Sequence, residues 1–240
     1  MKRTLRAKEG REKSPLRIGW ESAKANAVPM VILWAIAACL IVGYYCVPGV
    51  ADGFTPLARW QHESGWLAAF LNLFFFCGVI PGVFIWSIRE LRPKYPLATL
   101  LAQSVWCGVW GVVNNEVYIL LSRWFGSGTD MWTLFLKTAV DQFVWTVLVA
   151  APVDAVFFFW LGRDFSLARM RMEWPGNFIY AVFLPNLLSN WIVWIPVLCV
   201  IYAFPLPLQI QIAGIVGSIW TLLCLQIGRR SAVRERTEED

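Results

Sequence analysis

The sequence predicts an all-α, polytopic membrane helix bundle of about six transmembrane helices with both termini on the inner side. Three observations predict it. The 240-residue chain is 58% hydrophobic and only 15% charged, with mean hydropathy +0.55. An ordinary soluble domain is about 45–50% apolar and about 25% charged. Apolar runs long enough to cross about 30 Å of hydrocarbon recur along the whole chain, without the two-residue alternation of a membrane barrel. Between these runs, Lys and Arg alternate between many and few, as the preference of basic loops for the inner side requires.

The runs fall at about residues 28–47, 66–88, 97–121, 134–161, 177–203 and 207–228. Pro185 and Pro196 interrupt the fifth, so it is expected to kink or to begin in the interface. The N-terminal tail carries eight basic residues, 48–65 only Arg59, and 89–96 Arg89, Arg92 and Lys94. Arg123 stands alone in 122–133, Arg163, Arg169 and Arg171 follow in 162–175, and the 204–206 turn has none. The C-terminal tail adds Arg229, Arg230, Arg234 and Arg236. Six crossings keep every rich segment on one side. Trp20, Trp86, Trp160 and Trp174 then mark inner span ends, and Trp60, Trp66, Trp124 and Trp132 outer ones. Trp34, Trp110 and Trp220 lie mid-span, where lipid contact or core packing is expected. The resulting organisation is a basic cytoplasmic tail (1–27), an N-terminal pair of spans (28–96), a four-helix unit (97–228) and a solvated tail (229–240).

Composition also excludes functions. The net charge of +5 resides in the N-terminal tail, where Glu9, Glu12 and Glu21 offset part of the basic excess. That tail suits anionic lipid and membrane orientation rather than nucleic acid, and its acids argue against a mitochondrial presequence. All six cysteines lie in apolar runs without a CxxC pair, as small packing residues do. The only histidine, His62, is expected in a loop, so histidine-based metal or triad chemistry has no material. No cofactor, metal or catalytic residue is expected.

Polar residues inside the runs carry the functional question, because each charge costs roughly 2.5–3.5 kcal/mol in hydrocarbon. In the third run Ser104, Gly108, Gly111, Asn115, Tyr118 and Ser122 recur at steps of three and four, forming a small and polar helix face. Either a packing seam or a solute-lining face fits that pattern. Glu116 lies beside it. In the fourth run Lys137 and Asp141 share a face, while Thr138, Gln142 and Thr146 form a second line. Lys137 is expected to reach the outer interface along its stem. Glu116, Lys137 and Asp141 are expected to converge at the outer mouth of a crevice between the third and fourth spans. Asp154, 13 residues beyond Asp141, is about 20 Å away along the helix, too far for a shared-proton dyad, which excludes an intramembrane aspartyl protease. It is expected to bond within the bundle or to reach a water-filled vestibule. In the fifth run Asn186 and Asn190 share a face with Trp194. Gly78 and Gly82 form a GxxxG, compatible with a homo-oligomer. Residues 163–173 read as a short amphipathic segment at the surface.

Four blocks in order resemble the Mpv-seventeen and peroxisomal twenty-two-kilodalton membrane protein family. They are Gly111–Phe125 (GVVNNEVYILLSRWF), Lys137–Gln142 (KTAVDQ), Leu184–Pro196 (LPNLLSNWIVWIP) and Phe204–Gln209 (FPLPLQ) leading to Trp220. The resemblance covers about 97–228 and leaves the first 65 residues as an addition to a four-span unit. Departures from the family pattern are Val147, Gln209, Leu198 and Ile201. The resemblance implies a pore-like or metabolite-passing protein of a mitochondrial inner or peroxisomal membrane, with bacterial relatives. Together these readings give a channel-like or carrier-like protein for small solutes, of unknown substrate, most simply in a bacterial cytoplasmic membrane. Its polar pathway would comprise Asn115, Glu116, Lys137, Asp141, Gln142, Asn186 and Asn190. A non-conducting scaffold or assembly factor is the alternative, and an enzyme is not expected.

Overall fold

A computed structural model describes residues 27–89, 92–179 and 183–239. The side chains of 29, 94, 185, 186, 189 and 223–239 fall outside that description, as does the basic tail with its expected lipid contact. Among the described residues the fold is all-α. Three helices are long and apolar enough to cross a membrane: α3 (Trp66–Ser87), α4 (Leu97–Phe125) and α5 (Met131–Leu161). Their bounds lie within a few residues of the second, third and fourth predicted runs. A fourth span arises if the bent pair α1 (Ala27–Cys46) and α2 (Val50–Ser64) counts as one. The shorter apolar stretches Asn190–Ala203 and Leu206–Leu222 lie in α7 (Leu184–Ala203) and α8 (Leu206–Glu239). Between α5 and α7 comes the short helix α6 (Leu167–Met172).

The first correction concerns residues 48–65, expected as a connecting loop. They form α2, set at 103° to α1. Pro48 stops α1, and Gly49 at φ 80° turns the chain into a conformation that residues with a Cβ rarely adopt. Phe54, Leu57, Ala58 and Gln61 follow at helical spacing and face the core, while Asp52, Arg59, His62 and Glu63 face outward. His62 is therefore an exposed helical residue. Gly65 at φ 52° then opens α3.

In α3 and α5, part of the helix is widened to i→i+5 hydrogen bonding, over Phe74–Val79 and Asp141–Ala150. Ile80 N–H reaches Phe75 O, and Ala151 N–H reaches Thr146 O. Each wide stretch runs into a proline, Pro81 or Pro152. A helical proline lacks an N–H and crowds the carbonyl four residues back, and a wider turn upstream relieves that crowding. Pro196 is accommodated inside α7 without such a change. Pro185 lies in the first turn of α7, where a missing N–H costs nothing.

The best-packed region is the corner where α7 turns into α8. Val197, Ile201, Ile210, Ile212 and Val216 are fully buried there. Gln209 donates to Phe204 O at 2.9 Å and to Tyr202 O at 3.4 Å, satisfying carbonyls that the end of α7 leaves open. Helices α1, α2, α3, α4 and α7 all pack on α8. Trp34 donates to Val193 O at 3.2 Å and Tyr45 to Ala203 O at 2.6 Å, which fastens α1 to α7. At the end of α5, Arg163 pairs with Glu173 at 3.0 Å and Arg169 with Asp164 at 2.5 Å, framing α6, which buries none of its residues.

Candidate functional site

The glycine stripe of α4 is a packing seam. Ser104, Gly108, Gly111, Asn115 and Tyr118 are buried. A Cβ on Gly111 would collide with the Ala69 backbone oxygen of α3, and one on Gly108 would stand 2.6 Å from the Phe70 ring. Small residues here let two backbones approach, which is how helices gain packing energy in lipid. Asn115 sits at the end of the seam and accepts from Gln61 Nε2 at 3.1 Å. Gln61 Oε1 in turn accepts from Gln211 at 2.7 Å, tying α2, α4 and α8 together.

A quarter-turn away, the same helix lines a cavity of about 760 Å³. Gln103, Trp106, Cys107, Trp110 and Asn114 supply the α4 wall, α5 contributes residues from Asp141 to Phe159 and the turn after it Arg163, and α7 and α8 close it with Asn190, Trp194 and Trp220. One end of the α5 wall is a polar knot. Tyr202 O–H donates to Asp141 Oδ2 at 2.5 Å, while Gln142 Nε2 and Thr146 Oγ1 donate to Oδ1 at 2.9 and 3.4 Å. Residues five apart, Asp141 and Thr146, meet because the widened turn stacks them. Gln142 also donates to Thr146 at 3.1 Å, accepts from Asn190 at 3.2 Å, and offers its backbone carbonyl to Trp191 at 3.0 Å.

About three turns further along α5, beyond the widened stretch, Asp154 forms the second polar point. Trp106 and Trp110 both donate to its Oδ1, at 2.8 and 2.7 Å. Trp106 is stacked on Phe157 at 3.9 Å between ring centroids, which fixes the indole in place. Asp154 thus bonds within the bundle, and it also lines the cavity. Trp110, expected in lipid contact or simple packing, is instead a hydrogen-bond donor to a carboxylate.

Of the pathway residues predicted from sequence, Asp141, Gln142 and Asn190 come together on the cavity wall. Lys137 and Asp141 are both buried yet are not among the ion pairs of the described residues. Lys137 is 1% exposed, so its side chain is covered by protein rather than extended into solvent. Its ammonium group bonds Ser122 Oγ at 3.3 Å and lies 5.9 Å from the Tyr202 ring centre. Glu116 is exposed on α4 and joins neither group, because it is one residue off the buried stripe. The expected convergence of Glu116, Lys137 and Asp141 does not form. Asn115 belongs to the Gln61 chain, and Asn186 lies in α7 with its side chain outside the described set. Sequence spacing missed Tyr202, Gln61 and the Trp106–Trp110–Asp154 clamp. The available signal was a second helical line on α4, Gln103–Cys107–Trp110–Asn114, at the same steps as the glycine stripe.

These features define a helical protein with several candidate membrane spans, suited to contact with a lipid bilayer, around a tryptophan-lined cavity. Comparison with protein-family models, curated proteins and solved structures yields no match.

Proposed function

We propose that the chain is an integral membrane channel-like or carrier-like protein for small solutes, rather than an enzyme. In this reading the bent α1–α2 pair and the shorter α7 and α8 count with α3, α4 and α5 as six crossings, with both ends inside. The basic-residue alternation supports that count. The observation that carries the functional reading is the cavity, whose α5 wall runs from Asp141 to Phe159. That wall is longer than half of about 30 Å of hydrocarbon, and it bears polar groups where lipid contact would penalise them. The resemblance to the Mpv-seventeen family supports the same class, and a bacterial cytoplasmic membrane is the proposed location.

A specific observation favours the scaffold alternative: Asp141 takes three donors and Gln142 is bonded on every side, as a helix-pinning knot would be. Purified protein in liposomes decides between them. Small-solute flux is expected, and Asp141→Asn is expected to change its rate or pH dependence while the helical spectrum is kept. Unchanged flux in that variant removes Asp141 from the pathway. No flux at any potential or pH leaves the scaffold.

A further inference from the structure

We infer that the cavity between α4, α5, α7 and α8 is a binding site for a hydrophobic organic cation, held by Asp154 and the surrounding indoles. The inference rests on the solute-passing reading for its biological sense, but not for its physical argument. Five tryptophans, Trp106, Trp110, Trp145, Trp194 and Trp220, line one space of about 760 Å³. Cavities of about 300–1,000 Å³ hold drug-sized organic ligands. Indole is the aromatic ring that attracts cations most strongly through its π-face, and five indoles border this one void.

The charge balance of the lining has the matching sign. Its acids are Asp141 and Asp154 and its only base among the described residues is Arg163. Arg163 is charge-paired outside this balance: Glu173 lies 3.0 Å away, its Nη1 donates to Phe159 O at 3.0 Å, and its guanidinium stacks on the Phe159 ring. Glu173 beside it matches the Arg163 charge, so the two aspartates leave the lining acidic among the described residues. Asp141 is equally committed, to Gln142, Thr146 and Tyr202.

Asp154 differs. Both indole N–H groups converge on its Oδ1, leaving Oδ2 with no bond to a described residue, although it lines the cavity. Indole N–H donates only, so the clamp orients the carboxylate without consuming its second oxygen. Simple helix pinning requires one indole. Two donors on one oxygen fix the carboxyl group and leave its second oxygen free to meet a visiting cation. The steps from Trp106 to Trp110 on α4 and from Asp154 to Phe157 on α5 put these groups on facing helix surfaces.

Two ions of the same shape and opposite charge test this directly: tetraphenylphosphonium and tetraphenylborate. Binding is measured by equilibrium dialysis and tryptophan quenching with the full chain in lipid nanodiscs, against empty nanodiscs. Saturable binding of the phosphonium is expected, at least tenfold tighter than of the borate. Asp154→Asn should weaken it at least tenfold, and Trp110→Phe by a smaller factor. If Asp154→Asn does not yield folded protein, Trp106→Phe and Trp110→Phe together carry the test. Equal affinity for the two ions, non-saturable uptake matching empty discs, or unchanged affinity in the variants overturns the inference. Saturable, Asp154-dependent binding without liposome flux would retain the site and remove the transport reading. Flux without cation binding would do the reverse.

Discussion

Two faces of one helix, α4, show how similar spacing yields opposite outcomes. Towards α3 it presents Ser104, Gly108 and Gly111, and the two backbones touch. Towards α5 it presents Trp106, Trp110 and Asn114, and the helices stand apart across about 760 Å³ of space. Small residues gain dispersion contact by approach, whereas indoles bridge a gap and bring N–H donors to its walls. The first face is a joint and the second a lining.

The largest effect should come from breaking the joint. Gly111→Ala sets a Cβ into the Ala69 carbonyl, a backbone group that cannot swing aside. Overpacking of this kind costs about 1–3 kcal/mol or more. The better helix propensity of Ala returns at most about 1 kcal/mol. A clear fall in the thermal midpoint in detergent is expected, and an unchanged midpoint would show that the joint is loose. Next comes Tyr202→Phe, which removes the only described donor to Asp141 Oδ2. Leaving a buried acceptor without its partner costs about 1–3 kcal/mol, so chemical denaturation should register a loss of that order. On the lining, Trp110→Phe should be milder, about 1 kcal/mol, because Trp106 still donates to Asp154. A Trp110→Phe penalty equal to that of Gly111→Ala would erase the distinction between the faces. Glu116→Gln, on an exposed surface, should stay within about 0.5 kcal/mol.

The smallest effect is expected outside both faces. Asp130 caps α5 by accepting from Thr133 N–H at 3.0 Å. Its hydrogen bonds to Thr133 hold its carboxyl below the usual carboxylate value. A lowered folded value means the cap helps above the unfolded value and is lost as pH falls through the folded one. Asp130→Ala should therefore flatten the acid limb of a stability-versus-pH curve slightly and leave the alkaline limb alone.

The long elements α3, α4 and α5 were legible in the sequence because unbroken apolar runs need no partner to be recognised. Helix α2 was not: it is 15 residues long, carries Gly53 and Pro56, and buries only a narrow strip. Periodicity found the polar block Lys137–Gln142, but an i, i+4 rule pairs residues on one helix. Lys137 and Asp141 instead look across to Ser122 and Tyr202, and such contacts leave no trace in spacing. The Asp154 clamp stayed hidden for the same reason. Its donors are two tryptophans of another helix, each individually indistinguishable from a packing or lipid-facing indole.

The burial of α8 has a consequence for biosynthesis. The stretch around which α1, α2, α3, α4 and α7 are grouped leaves the ribosome after all of them. Until Leu206–Leu222 arrives, Asn72 lacks the Ile210 carbonyl it bonds at 2.6 Å, and Gln61 lacks Gln211. The earlier helices therefore form before these two buried side chains have their α8 partners. A ribosome stalled before this stretch emerges should expose Gln61 and Asn72 to cross-linking, and its release should hide them.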